Sequence, residues 1–251
     1  MGLNKRNIVI FLALAFGIAI GFYGINILGY LKNLSSKEAV VQNETPTPVS
    51  QGRTYPASFP TNNMIEKRLD LNDDGEAELL LTSSDSSGGY AVMVDPDNTS
   101  KAISNIFKFP TSSFAEEYKF KSTEPPEVLE IIDLNANGRQ EMIFDLKDGG
   151  AYTTTEGIVI FTGTQLQWLE LEEEGGKMRP AIFRNGSSVR NANVFRILPS
   201  DKAIVELAGV GDVEGNWTWE VKAYKWNGAK YKSNITLATQ ILAQQPKRMQ
   251  P

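Results

Sequence analysis

The chain has 251 residues, 25 Lys+Arg against 30 Asp+Glu, a formal charge of −5, and neither histidine nor cysteine. These absences exclude disulfides, thiolate nucleophiles, cysteine or imidazole metal centres and a Ser-His-Asp triad, and leave carboxylate chemistry and oxygen-ligated metals. The 41% hydrophobic content is enough for a core, and the mild acidity argues against a nucleic-acid binder, whose affinity needs clustered Lys and Arg.

In chain order, residues 1–7 carry Lys5 and Arg6 and read as a cytoplasmic tip. Residues 8–31 are 24 residues without a charge. As a helix they would span about 36 Å, longer than the roughly 30 Å hydrocarbon core of a bilayer, which predicts a slightly tilted transmembrane helix. Lys32, Asn33 and Leu34 follow where a cleavage site would carry small residues, so the segment reads as an uncleaved signal anchor. The expected location is therefore a single-pass plasma or inner membrane protein, with the C-terminal part periplasmic or extracellular. Residues 32–63 are polar and marked by proline, and read as a flexible linker.

Residues 64–245 are rich in short β-branched and aromatic runs broken by Gly, Asp, Asn and Ser, which predicts an all-β domain. Internal repetition organises it. RLDLNDDGEAELLL around Asp70 returns 63 residues later as IIDLNANGRQEMIF around Asp133, and a fainter third copy places Glu206 65 residues after Glu141. Gly163 and Gly228, in VIFTGTQL and YKWNGAKY, are also 65 apart. Three repeats follow, at about 64–127, 128–192 and 193–245, each read as four antiparallel strands, the size of a propeller blade. In the first copy the strands are expected at 64–69, 79–82, 90–94 and near 102–107. Closed propellers usually have four to eight blades, so the alternatives are a hidden blade, an open stack, a homodimer that completes the ring, or another compact antiparallel β fold.

The two acidic loops carry the chemistry. Asp70, Asn72, Asp74 and Glu78 stand at positions one, three, five and nine, with Gly75 at six; Asp133, Asn135, Asn137, Glu141 and Gly138 repeat the order. Alternating short oxygen side chains can curl round a hard cation, glycine permits the sharp turn, and the backbone carbonyl at position seven, Glu76 or Arg139, can point inward. Calcium accepts such mixed oxygen shells, whereas magnesium resists the crowding. Position twelve is Leu81 or Phe144, so this is no EF-hand, and the bland reading is a pair of empty Asp-Asn-Gly turns. The first loop offers three carboxylates and the second two, which predicts weaker binding at the second. The third copy keeps only Glu206, and no metal is expected there.

At both loops, with an acidic residue at nine leading into an apolar strand, the chain resembles FG-GAP and VCBS-type propeller repeats such as those of the integrin head. The resemblance implies calcium at the two loops and a role in adhesion or assembly with a protein or glycan partner. Two other readings stand beside it: a carboxylate-based glycan hydrolase, although no pair of acids is singled out, and a structural subunit of a membrane complex with empty loops. Trp217, Trp219, Val221 and Ala223 alternate onto one strand face that reads as core, and the acidic run at 170–174 reads as a solvated loop.

Overall fold

A computed structural model describes residues 53–71, 75–109, 124–146, 153–188 and 190–247, all within one compact unit. Among these residues no helix is long and apolar enough to cross a membrane. That corrects the expected transmembrane helix and the single-pass membrane location; residues 8–31, on which both rested, lie outside the described residues, as do 32–52 of the expected linker.

The first repeat is β1 (Ile65–Leu69), β2 (Glu78–Asp85), β3 (Gly88–Asp95) and β4 (Asn98–Ala102), with β5 (Phe107–Lys108) also on β3, in one five-stranded antiparallel sheet ordered β1-β2-β3-β4. Its central strands are apolar on both sides because both faces are covered. Leu80, Ala91 and Met93 face the second sheet. Leu79, Leu81, Val92 and Val94 face the opposite way, against Phe59, Tyr55 and Met64. Residues 53–59 thus lie on the sheet, held also by a hydrogen bond from the Thr99 hydroxyl to the Thr54 carbonyl, 2.8 Å.

The rest of the chain is not two further blades. β6 (Glu127–Ile132), β7 (Glu141–Asp145), β8 (Thr153–Phe161) and β9 (Leu166–Trp168) are followed by β10 (Glu170–Glu172), β11 (Met178–Pro180) and β12 (Ile182–Ser187). Then come β13 (Asn191–Leu198), β14 (Ala203–Gly211), β15 (Trp217–Trp226) and β16 (Tyr231–Ser233), and helix α1 (Ile235–Leu242). All of these strands join one eleven-stranded sheet ordered β11-β10-β16-β15-β14-β13-β12-β8-β7-β6, with β9 also on β8. Neither sheet closes into a barrel. The expectation of three separate propeller-like blades is therefore corrected. The physical cause is β12, which pairs with β8 on one side and β13 on the other and so fuses the second and third repeats.

β8 changes partner midway. Gly157 faces Ile182 of β12, whereas Val159 faces Trp168 of β9. At the switch three backbones close a ring: Ile158 N–H donates to the Ala181 carbonyl (2.9 Å), Ala181 N–H to that of Leu169 (2.8 Å), and Leu169 N–H to that of Ile158 (2.9 Å). No donor is left open where the ladder divides. Around it the curled sheet gathers Leu134, Ile143, Ile158, Leu171, Phe183, Phe195, Ile204, Tyr224 and Tyr231 into one core.

The two sheets meet at an aromatic seam of Phe107, Phe109, Phe144 and Trp168, with ring centroids 5.0–5.6 Å apart. The Asn105 side chain adds to it by accepting from Leu166 N–H at 2.7 Å and donating to the Leu166 carbonyl at 3.2 Å. On the far side of the large sheet Trp219 lies over Gly209, where any Cβ would come within 2.6 Å of the indole. Trp217 stacks on Trp219 at 5.4 Å. Leu237, Ala238 and Ile241 of α1 pack with Trp219 and Val221 over Val205, Leu207 and Ala223.

A helix of eight residues is marginal alone and depends on this docking and on its cap. Asn234 supplies the cap: its side chain accepts from Leu237 N–H at 2.9 Å. Asn234→Ala is expected to cost about 1 kcal/mol, read as a fall in melting temperature of roughly 2–4 °C; an unchanged melting curve would show that the cap carries no weight.

Candidate metal centre

Both acidic loops close antiparallel hairpins, and in each the glutamate at position nine faces the last residue of the preceding strand: Glu78 opposite Leu69, Glu141 opposite Ile132. Positions one and nine are thereby held at the two ends of one hairpin mouth. Position six is left-handed in both, with φ of 86° at Gly75 and 82° at Gly138, and nothing crowds either site. Glycine is needed there for its backbone alone.

The hydrogen bonding repeats as well. In the first loop Gly75 N–H donates to Asp70 Oδ2 at 3.0 Å and Leu71 N–H to Glu78 Oε2 at 3.0 Å. In the second, Gly138 N–H donates to Asp133 Oδ2 at 2.8 Å and Leu134 N–H to Glu141 Oε2 at 2.8 Å. Position two anchors each loop from below, Leu71 in the core between the sheets and Leu134 in the core of the large sheet. The loops are also neighbours, since Gln140 N–H donates to the Leu71 carbonyl at 3.0 Å.

The second loop is described throughout. Asp133 also accepts from Asn137 N–H at 3.0 Å, and Asn137 Oδ1 accepts from Arg139 N–H at 2.8 Å. Asn137 and Arg139 are exposed, while Asn135 and Glu141 are each only 4% exposed. Asn135 Nδ2 donates to Glu141 Oε1 at 3.2 Å, but Asn135 Oδ1 is buried without a partner. Burial above all, with Asp133 adding to it and the Leu134 N–H opposing, pushes the Glu141 carboxyl up to about 7. Its described partners include no Lys or Arg. Oxygen atoms stripped of water and left uncompensated are what a cation would satisfy, and the donor set is the hard-oxygen one that calcium takes.

Of the first set, Asp70 and Glu78 are half-buried and Glu76 is exposed; Asn72 and Asp74 lie outside the described residues. Among the described residues no three acidic side chains cluster as metal ligands would. The second loop assembles two carboxylates, Asp133 and Glu141, and draws its other oxygens from asparagine. At the third copy the loop is replaced by a single turn at Pro199–Asp201, and Glu206 sits within β14. Arg179 Nη2 donates to Glu206 Oε2 at 2.7 Å and to the Tyr224 hydroxyl at 3.0 Å, and Arg179 Nε lies 2.9 Å from Glu173 Oε1.

Sequence reasoning missed Tyr231. This β16 side chain is fully buried, its hydroxyl has no partner, and burial first, then the charges of Glu141 and Asp133, raise its pKa. Nothing in the local sequence of β16 signals that this tyrosine is buried with its hydroxyl unpartnered.

Fold and site together define a two-sheet β protein with paired Asp-Asn-Gly hairpin loops. No family model, curated protein or solved structure matches the chain.

Proposed function

We propose that the chain is a calcium-binding β-repeat protein that works as an interaction module, in adhesion or assembly with a protein or glycan partner. The observation that carries this reading is the second loop, where the Glu141 carboxylate and Asn135 Oδ1 are buried with no positive charge to meet them. The two backbone-to-carboxylate bonds that the first loop shares with it, from position six to one and from two to nine, and the likeness of both to FG-GAP and VCBS-type repeats, support it. Calcium bound to the native chain would add stability by mass action and stiffen the adjacent hairpin mouths, fixing the surface offered to a partner.

The test is thermal. The full chain should melt higher in millimolar calcium than in chelator, by roughly 2–4 °C for each kcal/mol of linkage. Asp133→Ala combined with Asp70→Ala should remove that gain. A wild-type chain that melts identically in both buffers would sink the metal reading, and turnover of a glycan panel by the calcium-free chain would favour a hydrolase instead.

A further inference from the structure

The two acidic loops are tied to each other twice. Lys67 Nζ, on the strand that leads into the first loop, donates to the Val128 carbonyl, on the strand that leads into the second, at 2.8 Å. Gln140 N–H, at position eight of the second loop, donates to the Leu71 carbonyl, position two of the first, at 3.0 Å. Leu71 gives its own N–H to Glu78 Oε2 at 3.0 Å, and Gln140 immediately precedes Glu141, whose Oε2 accepts from Leu134 N–H at 2.8 Å. A short run of backbone therefore links the two position-nine carboxylates, Glu78 and Glu141. Its pivot is held in place, because Leu71 is only 4% exposed in the core between the sheets. The second loop also carries a mark of a missing ligand, since Asn135 Oδ1 is buried there without a partner.

We propose that the two loops bind calcium cooperatively, coupled through the hydrogen bond from Gln140 N–H to the Leu71 carbonyl. This rests on the calcium reading of both loops. An ion in the first loop takes hold of Asp70 and Glu78, and with them Leu71, whose N–H is bonded to Glu78. The acceptor for Gln140 N–H is then fixed, and so is the approach of the next residue, Glu141. A second ion meets a loop already partly ordered, so the entropy lost on ordering falls mainly on the first binding event. Linkage makes the effect reciprocal: an ion in the second loop favours the first by the same factor. Repulsion between two dications opposes the coupling, and salt screens it over about 8 Å at 0.15 M.

The experiment is calorimetric titration of calcium into the full chain at about 0.15 M salt. It compares the wild type with Asp70→Ala, which leaves the second loop alone, and with Asp133→Ala, which leaves the first. The product of the two wild-type binding constants should exceed the product of the two single-loop constants about five-fold, the weight of one hydrogen bond. Repeated on a Gln140→Pro background, which removes the N–H, the ratio should fall to one. On a Gln140→Ala background, which keeps the N–H, the excess should remain. A wild-type ratio of one or less, or a single ion bound per chain, would overturn the coupling and leave calcium binding in place. An excess that survives Gln140→Pro, or is lost with Gln140→Ala, would overturn the role of this bond. If Gln140→Pro does not fold, the wild type against the two single-loop chains still decides whether the loops are coupled. No calcium bound by any chain would overturn the calcium reading itself.

Discussion

Replacing Glu141 by Gln is expected to stabilise the calcium-free chain at pH 8 and to abolish the second loop's response to calcium. Both effects come from one buried charge. In the folded chain the Glu141 carboxyl titrates near 7, against an ordinary value of 4.5, chiefly because it is buried. The folded state therefore holds this proton more tightly than the unfolded chain does. The contribution of Glu141 is most favourable below about pH 4.5 and is lost as pH rises through 7, at a cost of roughly 3 kcal/mol by pH 8.

A glutamine carries no such charge. Its oxygen can still accept from Leu134 N–H, and its amide can donate to Asn135 if that side chain turns its unpartnered oxygen toward it. Without calcium at pH 8, Glu141→Gln should thus melt roughly 6–12 °C above the wild type, with the difference shrinking toward pH 5. In calcium the order should reverse, because the wild type regains what the ion neutralises. For the same reason calcium should stabilise the wild type more at pH 8 than at pH 5.5, since protons and calcium compete for the same oxygens. A variant that melts below the wild type in chelator at pH 8 would show that Glu141 already has a compensating partner, and the burial reading would fall.

That the acidic loop was legible at all follows from its locality. Positions one to nine lie within one hairpin, so the spacing of Asp133, Asn135, Asn137 and Glu141 already implies the closure that the backbone shows, down to the left-handed glycine at six. Three strands of the first repeat were legible for the same reason, β1, β2 and β3 falling within a few residues of the runs at 64–69, 79–82 and 90–94, whereas the fourth, expected near 102–107, is β4 at Asn98–Ala102. What the repeats could not give was which edges meet. Repetition identifies hairpins, and three similar hairpin pairs fit three blades as well as one fused sheet.

The deciding segment was masked by its charge. The run at 170–174 reads as solvated, yet Leu171 is fully buried, and Glu172 is nearly buried and flanked by Lys230 and Lys232. β10 therefore belongs to the core of the large sheet. Beyond it, Ala181 and Phe183 carry the chain into β12, the strand that joins the repeats. The parallel pairing of β10 with β16 is a contact across sixty residues, Leu171 to Tyr231, and no local period encodes it.

Gly157→Ala tests that fused architecture directly and should be among the most damaging single substitutions in the chain. Gly157 does not have the left-handed backbone that requires glycine, so by its effect on the unfolded chain alone alanine would stabilise slightly. The obstacle is space. A Cβ at 157 would lie 2.5 Å from Trp168 Cζ3, 2.9 Å from Trp168 Cη2 and 3.3 Å from Leu146 Cδ1. The indole has no room to retreat, because its ring packs against Phe107 at 5.2 Å and Phe109 at 5.6 Å, across the seam between the sheets. Gly157 also immediately precedes Ile158, a member of the three-way hydrogen-bond ring, so a backbone shift that made room would open bonds at the branch. Overpacking at such a site costs about 3 kcal/mol, or roughly 6–12 °C in melting temperature. Trp168→Phe removes the ring atoms that clash. Adding it to Gly157→Ala should therefore return part of the loss, and the double-mutant cycle should show a coupling of at least about 1 kcal/mol. Strict additivity would mean that alanine is accommodated without touching Trp168, and that the packing of β8 beneath the seam is looser than these distances require.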